Sequence, residues 1–303
     1  MKNEKFCDII TFKDSIEFRG ESMDNKNRRI IAITGSTGGL GKEICSKLVS
    51  LGEGLILVDR NIKKSEEHKR ELLAMYPNAD IKCVTCDLED MDSVKAAVDI
   101  LLESDIDVFI HNAGAYKIPR RKCSTGFDNA YQINFVSPYY MIKRLLSHIR
   151  SKRGRVVAVG SIAHNYSKIN ANDVDFSNVK ACSKVYGNAK RYLMFALWEL
   201  FKGEKDASLS IVHPGITVTN ITAHYHPLLY AIIKYPMKVI FMPPKKAALS
   251  IIDGVYDKCD YLEWIGPRFF DIWGIPKKKI LKTCSEDERK QIFRIAEDIY
   301  EKL

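Results

Sequence analysis

The chain has 303 residues, 46 % of them hydrophobic and 28 % charged, which is enough to bury the core of one large domain. Its ordinary glycine and proline content and its mixed charge exclude the collagen-like, low-complexity and disordered classes. The net charge of +9 includes short basic clusters at predicted element ends (28–29, 120–122 and 277–279) that lack interleaved aromatic residues, so we expect anionic small ligands rather than nucleic acid.

The cysteines and the hydropathy pattern bear on where the protein works. Eight cysteines are scattered along a chain in which we find no secretory leader, so we expect free thiols in a reducing compartment. No window supplies the roughly 20 apolar residues that a spanning helix needs. We therefore expect a cytoplasmic protein, with peripheral contact to a membrane as a less favoured alternative.

Residues 1–28 are polar and of mixed charge, and we interpret them as an N-terminal extension of a single domain that covers 29–303. Short apolar runs begin at Ile30 and recur along this domain. Because they are continuous rather than alternating, they are typical of parallel strands that are buried on both faces. The predicted strands are 30–34, 55–58, 81–85, 108–110, 155–159 and 209–212.

Longer amphipathic stretches separate these runs and are long enough for the crossover connections that parallel strands require. The predicted helices are about 42–51, 64–75, 91–103, 127–150 and 179–202. This alternation predicts an α/β fold with a doubly wound, Rossmann-like parallel sheet. Past Gly215 we expect a small substrate-lid region, about 216–303, with helices at 245–257 and 285–302 and a short apolar piece at 261–265.

A glycine-rich loop, Thr34–Glu43, follows the first predicted strand. Glycines let the backbone turn tightly beside a pyrophosphate, and the N-terminus of the next helix offers free N–H groups to an anion. The candidate contacts are Gly35, Ser36, Thr37, Gly39, Leu40 and Gly41. The glycine spacings 35/39/41 and 35/38/41 are both present, and a mononucleotide P-loop is excluded because its Gly-Lys-Ser/Thr is missing.

Asp59 and Arg60 end the second predicted strand, 18 residues after Gly41, near the spacing at which an acid meets the adenosine ribose. A carboxylate accepts the ribose hydroxyls of NAD and repels a 2′-phosphate, whereas a guanidinium attracts that phosphate. Because Asp59 takes the strand-terminal position, NAD is slightly favoured over NADP.

Two pairs of residues have side chains that can bind metals, but the sequence around neither pair predicts a metal site. Cys83 and Cys86 lie along a predicted strand, where residues three apart point to opposite faces. His224 and His226 have no carboxylate or thiolate near them in the sequence. We therefore predict no metal.

Tyr186 and Lys190 are one turn apart on a predicted helix, so the phenol and the ammonium share a face. The pKa of a tyrosine, ~10, must fall by about three units for proton exchange near neutrality, and a nearby cation favours the phenolate. The same spacing occurs at Tyr139/Lys143 and Tyr230/Lys234. Only the pair at 186 and 190 follows a strand that ends in a serine, Ser161, as a site at the carboxyl ends of parallel strands requires.

In this combination the motifs resemble the short-chain dehydrogenase/reductase superfamily over about residues 29–303, and within it the retinol-dehydrogenase-like branch. The matching motifs, in chain order, are Thr34–Gly41, Asp87-Leu88, Asn112-Ala113-Gly114, Asn134, Ser161, Tyr186 with Lys190, and Pro214-Gly215. The run 186–200, the 25-residue gap from Ser161 to Tyr186 and Ile265-Gly266-Pro267 are similar to that branch. Ser137 departs from the family pattern, because a glycine commonly stands there.

The resemblance implies a role for each matching residue. Tyr186 would be the general acid/base, Lys190 would bind the nicotinamide ribose and lower the pKa of the phenol, Ser161 would hydrogen-bond the reacting oxygen, and Asn134 would help to hold a water-mediated proton relay. The other cofactor contacts would be Asp87 and Leu88 at the adenine, Asn112 and Gly114 along the cleft, and Pro214, Gly215 and Thr219 around the nicotinamide.

An apolar run, 228–242, follows the segment that would bracket the nicotinamide. As a helix it would reach only ~22 Å, short of a ~30 Å hydrocarbon core, and Pro236 interrupts it. Three interpretations stay open: a lid over an apolar substrate, core or oligomer packing, and shallow association with a membrane. A lipophilic carbonyl or alcohol substrate is weakly preferred.

The sequence therefore predicts an NAD(P)-dependent oxidoreductase that moves hydride between nicotinamide and a carbonyl or alcohol carbon while Tyr186 transfers the proton. One alternative is a cofactor-binding scaffold or regulator without turnover, and a less favoured one is an NAD-dependent sugar-nucleotide epimerase. The expected partner is a small-molecule carbonyl or alcohol, and formation of a homo-oligomer stays open.

Overall fold

The computed structural model describes residues 28–217 and 242–303 of the chain. The predicted N-terminal extension, Thr219 and nearly all of the apolar run 228–242 lie outside the described residues. The strands are β1 (Ile30–Thr34), β2 (Gly54–Asp59), β3 (Ile81–Thr85), β4 (Val108–His111), β5 (Arg155–Val159), β6 (Ser208–Val212), β7 (Glu263–Phe269) and β8 (Trp273–Ile280). They form one sheet in the order β3-β2-β1-β4-β5-β6-β7-β8.

The helices follow the strands in the order that the alternating pattern predicts. They are α1 (Gly39–Ser50), α2 (Ile62–Met75), α3 (Met91–Leu102), α4 (Ser137–Ser151), α5 (Cys182–Leu200), α6 (Pro244–Tyr256) and α7 (Glu286–Tyr300). A single helical turn, Asn129–Tyr131, and a π-helical turn, Gln132–Val136, lead directly into α4. The predicted α/β class and the doubly wound parallel sheet are thereby confirmed.

Strands β1 to β7 pair in parallel, and β8 pairs antiparallel with β7. The placement of the lysine cluster 277–279 at an element end was wrong, because these residues lie inside β8. The strand forms the edge of the sheet, and its polar residues hid it from a search for continuous apolar runs. Lysines on such an edge discourage pairing with another chain.

Both faces of the sheet are covered by helices, which explains why the inner strands β1, β2, β4, β5 and β6 are mostly apolar on both faces, whereas the edge strands β3 and β8 carry exposed residues. Neighbouring residues on one strand enter different cores: Ala32 packs with α3, α4, α5 and α7, whereas Ile31 and Ile33 pack with α1 and α6. The same division holds at Val156 and Val157 on β5. Packing in the two cores holds the strands in place. The positions of the strand ends in turn position the loops that carry the candidate site.

Three observations concern only residues 28–217 and 242–303. The seven cysteines in these ranges form no disulfide with one another. None of the helices in these ranges is long and apolar enough to cross a bilayer. No group of three or more metal-ligating side chains comes together there, and His224 and His226 lie outside the described residues.

Candidate active site

The predicted site residues come from loops at the carboxyl ends of the parallel strands. The chain winds outward from β1 through β2 to β3 in one direction and from β4 through β5 to β6 in the other. The carboxyl ends of the adjacent strands β1 and β4 therefore border the crevice where ligands bind in open α/β sheets.

The glycine-rich loop crosses this crevice between β1 and α1. A Cβ on Gly41 would lie 2.1 Å from the carbonyl oxygen of Gly35, and one on Gly35 would lie 2.9 Å from Cα of Ala113. Gly35 also has a φ of +73°. Both positions therefore require glycine, because any side chain would collide with backbone.

Gly38 and Gly39 behave differently. Gly38 is the N-cap of α1 and carries no capping side chain, and Gly39 is exposed. A Cβ on Gly39 would meet no protein atom within 4 Å, so folding itself does not require glycine there. The bare surface at the start of the helix fits a pyrophosphate bound by backbone N–H groups.

Asp59, at the end of β2, is buried and holds the glycine-rich loop in place. Its carboxylate accepts hydrogen bonds from the hydroxyls of Ser36, of Thr37 (3.2 Å) and of Ser65 (3.0 Å). A negative charge is thus fixed where the adenosine ribose was predicted to bind. Of the predicted loop contacts, Ser36 and Thr37 face this carboxylate.

Arg60 follows Asp59 and is exposed, with 68 % of its side chain accessible to solvent. Its guanidinium lies 3.9 Å from the carboxylate of Glu89, which also binds Arg121 at 2.5 Å. Two cations therefore share one carboxylate beside the adenosine end of the crevice. An exposed pair of this kind contributes little stability.

The predicted adenine contacts after β3 have different surroundings. Asp87 is partly exposed and accepts a hydrogen bond from the backbone N–H of Glu89 at 3.0 Å. The side chain of Leu88 belongs to the hydrophobic core, and its carbonyl accepts a hydrogen bond from Ser137 at 2.7 Å. The serine that replaces the usual glycine at 137 is therefore buried with its hydroxyl satisfied.

Asn112 joins the loop after β4 to the glycine-rich loop. Its amide nitrogen donates to the carbonyls of Thr34 at 3.1 Å and Gly35 at 3.0 Å. The hydroxyl of Thr34 in turn accepts from the backbone N–H groups of Asn112 and Ala113. These bonds position the edge of the crevice, and Thr34 is a contributor that the sequence pattern did not single out.

Asn134 lies in the π-helical turn before α4 and is fully buried. Its amide nitrogen donates to the carbonyls of Ala115 (2.8 Å) and Ala130 (2.7 Å), and its oxygen accepts from the N–H of Ala115 (3.2 Å). A Cβ on Gly114 would lie 2.9 Å from that oxygen and 3.7 Å from Nζ of Lys190. Gly114 thus lets Asn134 and Lys190 border the same small space.

Ser161 and Tyr186 meet at the centre of the crevice. Ser161 follows β5 and caps a 3₁₀ turn, with its hydroxyl accepting from the N–H of Ala163 at 3.2 Å. The same hydroxyl is close enough to the phenol of Tyr186 to lower the pKa of that phenol. Burial nevertheless raises the pKa of Tyr186 to about 12, against the lowering effect of that hydroxyl.

Lys190 lies one turn further along α5 and is 2 % exposed. Its Nζ donates to the carbonyl of Val159 at 2.9 Å and lies 5.9 Å from the ring centroid of Tyr186. Burial lowers the pKa of Lys190 to about 8. In the protein without cofactor, burial raises the pKa of the phenol, so the lowering by Lys190 that the resemblance implies is not seen in these residues alone.

Pro214 and Gly215 follow β6, as the sequence predicts, and both are buried. Gly215 has a φ of +80°, and a Cβ there would lie 2.7 Å from the carbonyl oxygen of Ile272. The turn between β7 and β8 therefore packs directly against the segment that was predicted to bracket the nicotinamide. Thr219, the last predicted contact, is outside the described residues.

Tyr116 is a site residue that sequence reasoning missed. Its ring packs edge-on against that of Tyr186, with centroids 5.2 Å apart and an angle of 76° between the planes. The contact places an apolar wall beside the phenol. The signal available in the sequence was its position, two residues after Gly114 in a loop already assigned to the crevice.

Comparisons with known proteins identify the family of the chain and several of its relatives. The family model described as short chain dehydrogenase matches residues 29–226. The chloroplastic short-chain dehydrogenase TIC 32 A of Brassica napus is 29 % identical, with 67 % of this chain and 68 % of that protein covered. Retinol dehydrogenase 12 of Mus musculus is 28 % identical, with 66 % and 65 % covered.

A solved structure gives the same fold at low sequence identity. An uncharacterised protein of Mycobacterium paratuberculosis superposes with a TM-score of 0.70 and 20 % identity. The superposition covers 90 % of this chain and 93 % of that one. Likeness at this identity concerns the fold alone.

Proposed function

The chain belongs to the short-chain dehydrogenase family of NAD(P)-dependent oxidoreductases, and from this membership we propose that it transfers hydride between a nicotinamide cofactor and a carbonyl or alcohol carbon, with Tyr186 moving the proton. The observation that carries the proposal is that three side chains converge at the carboxyl ends of β5 and its neighbours: Ser161, whose hydroxyl lowers the pKa of the phenol, Tyr186 itself, and the buried Lys190, whose Nζ lies 5.9 Å from the ring centroid of Tyr186. Positioned acids of this kind contribute about 10²–10⁴ in rate.

Tyr186 acts as the acid when a carbonyl is reduced. With its pKa raised to about 12, the phenol holds its proton at neutral pH and donates it to the carbonyl oxygen. Ser161 would orient that oxygen, because its hydroxyl is close enough to the phenol to affect the pKa of Tyr186. In the direction of alcohol oxidation the same phenol must lose its proton first, so we expect that direction to accelerate with rising pH.

Lys190 and Asn134 supply the route by which the phenol regains a proton. Both border the space that the missing side chain of Gly114 leaves open. Lys190, with its pKa lowered to about 8, exchanges protons with water more readily than an ordinary lysine near neutrality. Asn134 acts as a positioning residue, because its amide fixes the backbone at Ala115 and Ala130.

The described residues fit a dinucleotide. When bound, the cofactor supplies or accepts the hydride. Gly35, Gly39 and Gly41 would form the pyrophosphate surface, Asp59 would face the adenosine ribose, and Lys190 would hold the nicotinamide ribose. We propose NAD rather than NADP, because the buried charge of Asp59 is fixed to the loop and repels a 2′-phosphate.

The substrate side supports an apolar compound. The small cleft next to Tyr186 is lined by Ala115, Ile118, Ala130 and Val185, together with the longer side chains of Lys117 and Arg120. The apolar run 228–242 follows in the sequence. We therefore propose a lipophilic carbonyl or alcohol as the substrate and keep a reducing compartment such as the cytoplasm as the location.

The test is a fluorescence titration of the whole protein with NADH and with NADPH, followed by a screen of aliphatic, aromatic and sugar substrates with the tighter binder. We expect NADH to bind more tightly, and turnover to be fastest with the apolar carbonyls or alcohols. Cofactor binding without turnover across the panel would instead indicate a silent scaffold. Turnover confined to nucleotide sugars, with NAD retained through purification, would indicate an epimerase.

A further inference from the structure

The turn between β7 and β8 exposes apolar side chains to solvent. Ten large apolar side chains are exposed among the described residues, and three of them, Phe269, Phe270 and Ile275, cluster at this turn. Phe270 is 88 % exposed, the highest fraction among the ten. The folded chain gains almost nothing from burying its ring.

Phe270 also occupies an unfavourable backbone conformation. It has a φ of +53° and Asp271 has a φ of +59°, and the N–H of Ile272 donates to the carbonyl of Phe269 at 3.0 Å. Two central residues with positive φ define the type I′ turn, which favours Asn-Gly. A bulky side chain in the left-handed region is strained, so neither turn geometry nor burial accounts for a phenylalanine here.

Cations surround the turn. Residues 264–282 contain five lysines and arginines and a single carboxylate, Asp271, which is paired with Lys279. The Arg268 guanidinium lies 5.8 Å from the Phe269 ring centroid, and Nζ of Lys246 lies 5.8 Å from that of Trp273. The exposed positive charge therefore lies next to the exposed rings.

We propose that this turn is a membrane-contact site, at which Phe269 and Phe270 enter the headgroup region of an anionic lipid surface while Arg268, Lys246 and their neighbours contact its phosphates. The rings and cations match the apolar and anionic layers of such a surface. A protein partner fits less well, because a convex turn with three exposed apolar side chains falls well short of the ~800 Å² per partner of a stable interface.

The turn is adjacent to the candidate active site. The carbonyl oxygen of Ile272 lies 2.7 Å from the position that a Cβ of Gly215 would occupy, so the two segments are in contact. A protein attached through this turn would hold its crevice close to the lipid surface. Attachment does not depend on the proposed reaction, and it is measured without cofactor or substrate.

The test is co-sedimentation of the full chain with vesicles of phosphatidylcholine alone and of phosphatidylcholine with ~30 % phosphatidylserine. We expect binding to the anionic vesicles only, weakening as salt is added. Phe270→Asn should weaken binding by about tenfold or more, since one buried phenylalanine ring is lost. The same variant should keep or raise the thermal midpoint, because asparagine suits the turn.

Met75→Asn is the matched control, since Met75 is also exposed (58 %) but lies at the end of α2, away from the hairpin. It should leave vesicle binding unchanged. A second variant, Arg268→Gln, should weaken binding by about fivefold through the lost charge.

Three results would overturn the proposal. The first is an intact protein that ignores anionic vesicles at low salt. The second is that Met75→Asn and Phe270→Asn weaken vesicle binding equally, or that Phe270→Asn binds the anionic vesicles as tightly as the parent protein. The third is light scattering in which Phe270→Asn dissociates a dimer without affecting vesicle binding, which would make a second copy of the chain the partner.

Discussion

At the scale of single residues, the centre of the site combines two buried ionisable groups whose surroundings oppose ionisation. Burial raises the pKa of Tyr186 to about 12 and lowers that of Lys190 to about 8. Both shifts disfavour the charged forms, so the ammonium of Lys190 is less stable in the folded protein than in the unfolded chain, although it is still the main form below about pH 8.

The sign of the effect of Lys190 on stability follows from these values. Between pH 8 and 10.5 the folded protein has lost the Lys190 proton, whereas the unfolded chain, with the ordinary pKa of 10.5, still holds it. The free energy of unfolding therefore rises with pH across this window. Below about pH 8 the buried ammonium destabilises the fold by roughly 3 kcal/mol.

Lys190→Met should accordingly raise the free energy of unfolding near pH 7 by about 1–3 kcal/mol, with part of the gain offset by the lost hydrogen bond to Val159. Urea denaturation of the parent and the variant near pH 7 and near pH 10 measures the difference, which should shrink at the higher pH. Lys184→Met, at an exposed lysine of the same helix, is the control. A difference that does not depend on pH would contradict the account.

At the scale of elements, the glycine-rich loop contains one glycine that the packing of the protein requires and another, at the start of α1, that it does not require. The backbone of the loop leaves no room for a side chain at Gly41, whereas the surface at Gly39 is open. Of these two positions, only Gly39 carries a glycine that contacts within the protein do not explain. We attribute this glycine to the pyrophosphate that the proposed function places at the start of α1.

Gly39→Ala should stabilise α1 by up to about 1 kcal/mol, because alanine is the better helix former, and still weaken NADH binding by tenfold or more. Gly41→Ala should weaken binding and also destabilise the fold, since its Cβ would lie 2.1 Å from the carbonyl oxygen of Gly35. Fluorescence titration and thermal unfolding of both variants measure the two effects. Unchanged NADH affinity in Gly39→Ala would place the pyrophosphate elsewhere.

Elements differ in how well the sequence predicts them, for physical reasons. The inner strands β1, β2, β4, β5 and β6 were predictable because burial on both faces makes them mostly apolar, whereas β3 lies at an edge and exposes Lys82 and Thr85. The strand β8 escaped prediction because one side of an edge strand meets solvent, so its lysines resembled a surface cluster. The π-helical turn at Asn134 escaped as well, because apolar periodicity does not distinguish it from the helix predicted over 127–150.

At the scale of the whole molecule, two largely buried ion pairs join α7 to α5, the helix that carries Tyr186: Arg289 binds Glu199 at 3.1 Å, and Arg191 binds Glu288. Arg191, next to Lys190 on α5, binds Glu288 on α7 through two bonds of 2.7 Å and is 4 % exposed. It also donates to the carbonyls of His164 and Thr283. The chain's last helix is therefore fixed to the element that presents Tyr186.

Glu288→Ala should lower the free energy of unfolding by about 3 kcal/mol, because it leaves a buried guanidinium without its carboxylate. Glu286→Ala, two residues earlier, removes an exposed carboxylate paired with Lys290 and should cost less than about 1 kcal/mol. Urea denaturation of both variants gives the comparison. Equal losses would mean that Arg191 is satisfied by its carbonyl partners alone.

The sequence also predicts which loops meet, but not how they are held. Order along the chain and the rule that parallel strands end at one edge bring Ser161 and Tyr186 together. The bonds of Asn112 to the glycine-rich loop and of Asp59 to Ser36 and Thr37 depend on distances that spacing does not encode. Asn112 and Asp59, which were predicted as cofactor contacts, thus also hold the loops of the site together.

The central claim is that Tyr186 transfers the proton, and Tyr186→Phe tests it most directly. Tyr192→Phe is the matched control, because it removes a buried phenol oxygen on the same helix that has no hydrogen-bond partner among the described residues. The measurement is kcat with the best substrate of the screen, together with the Kd for NADH. We predict a loss of about 10²-fold or more in kcat for Tyr186→Phe with little change in Kd, and parental values for Tyr192→Phe. Turnover by Tyr186→Phe at the parental rate would contradict the account.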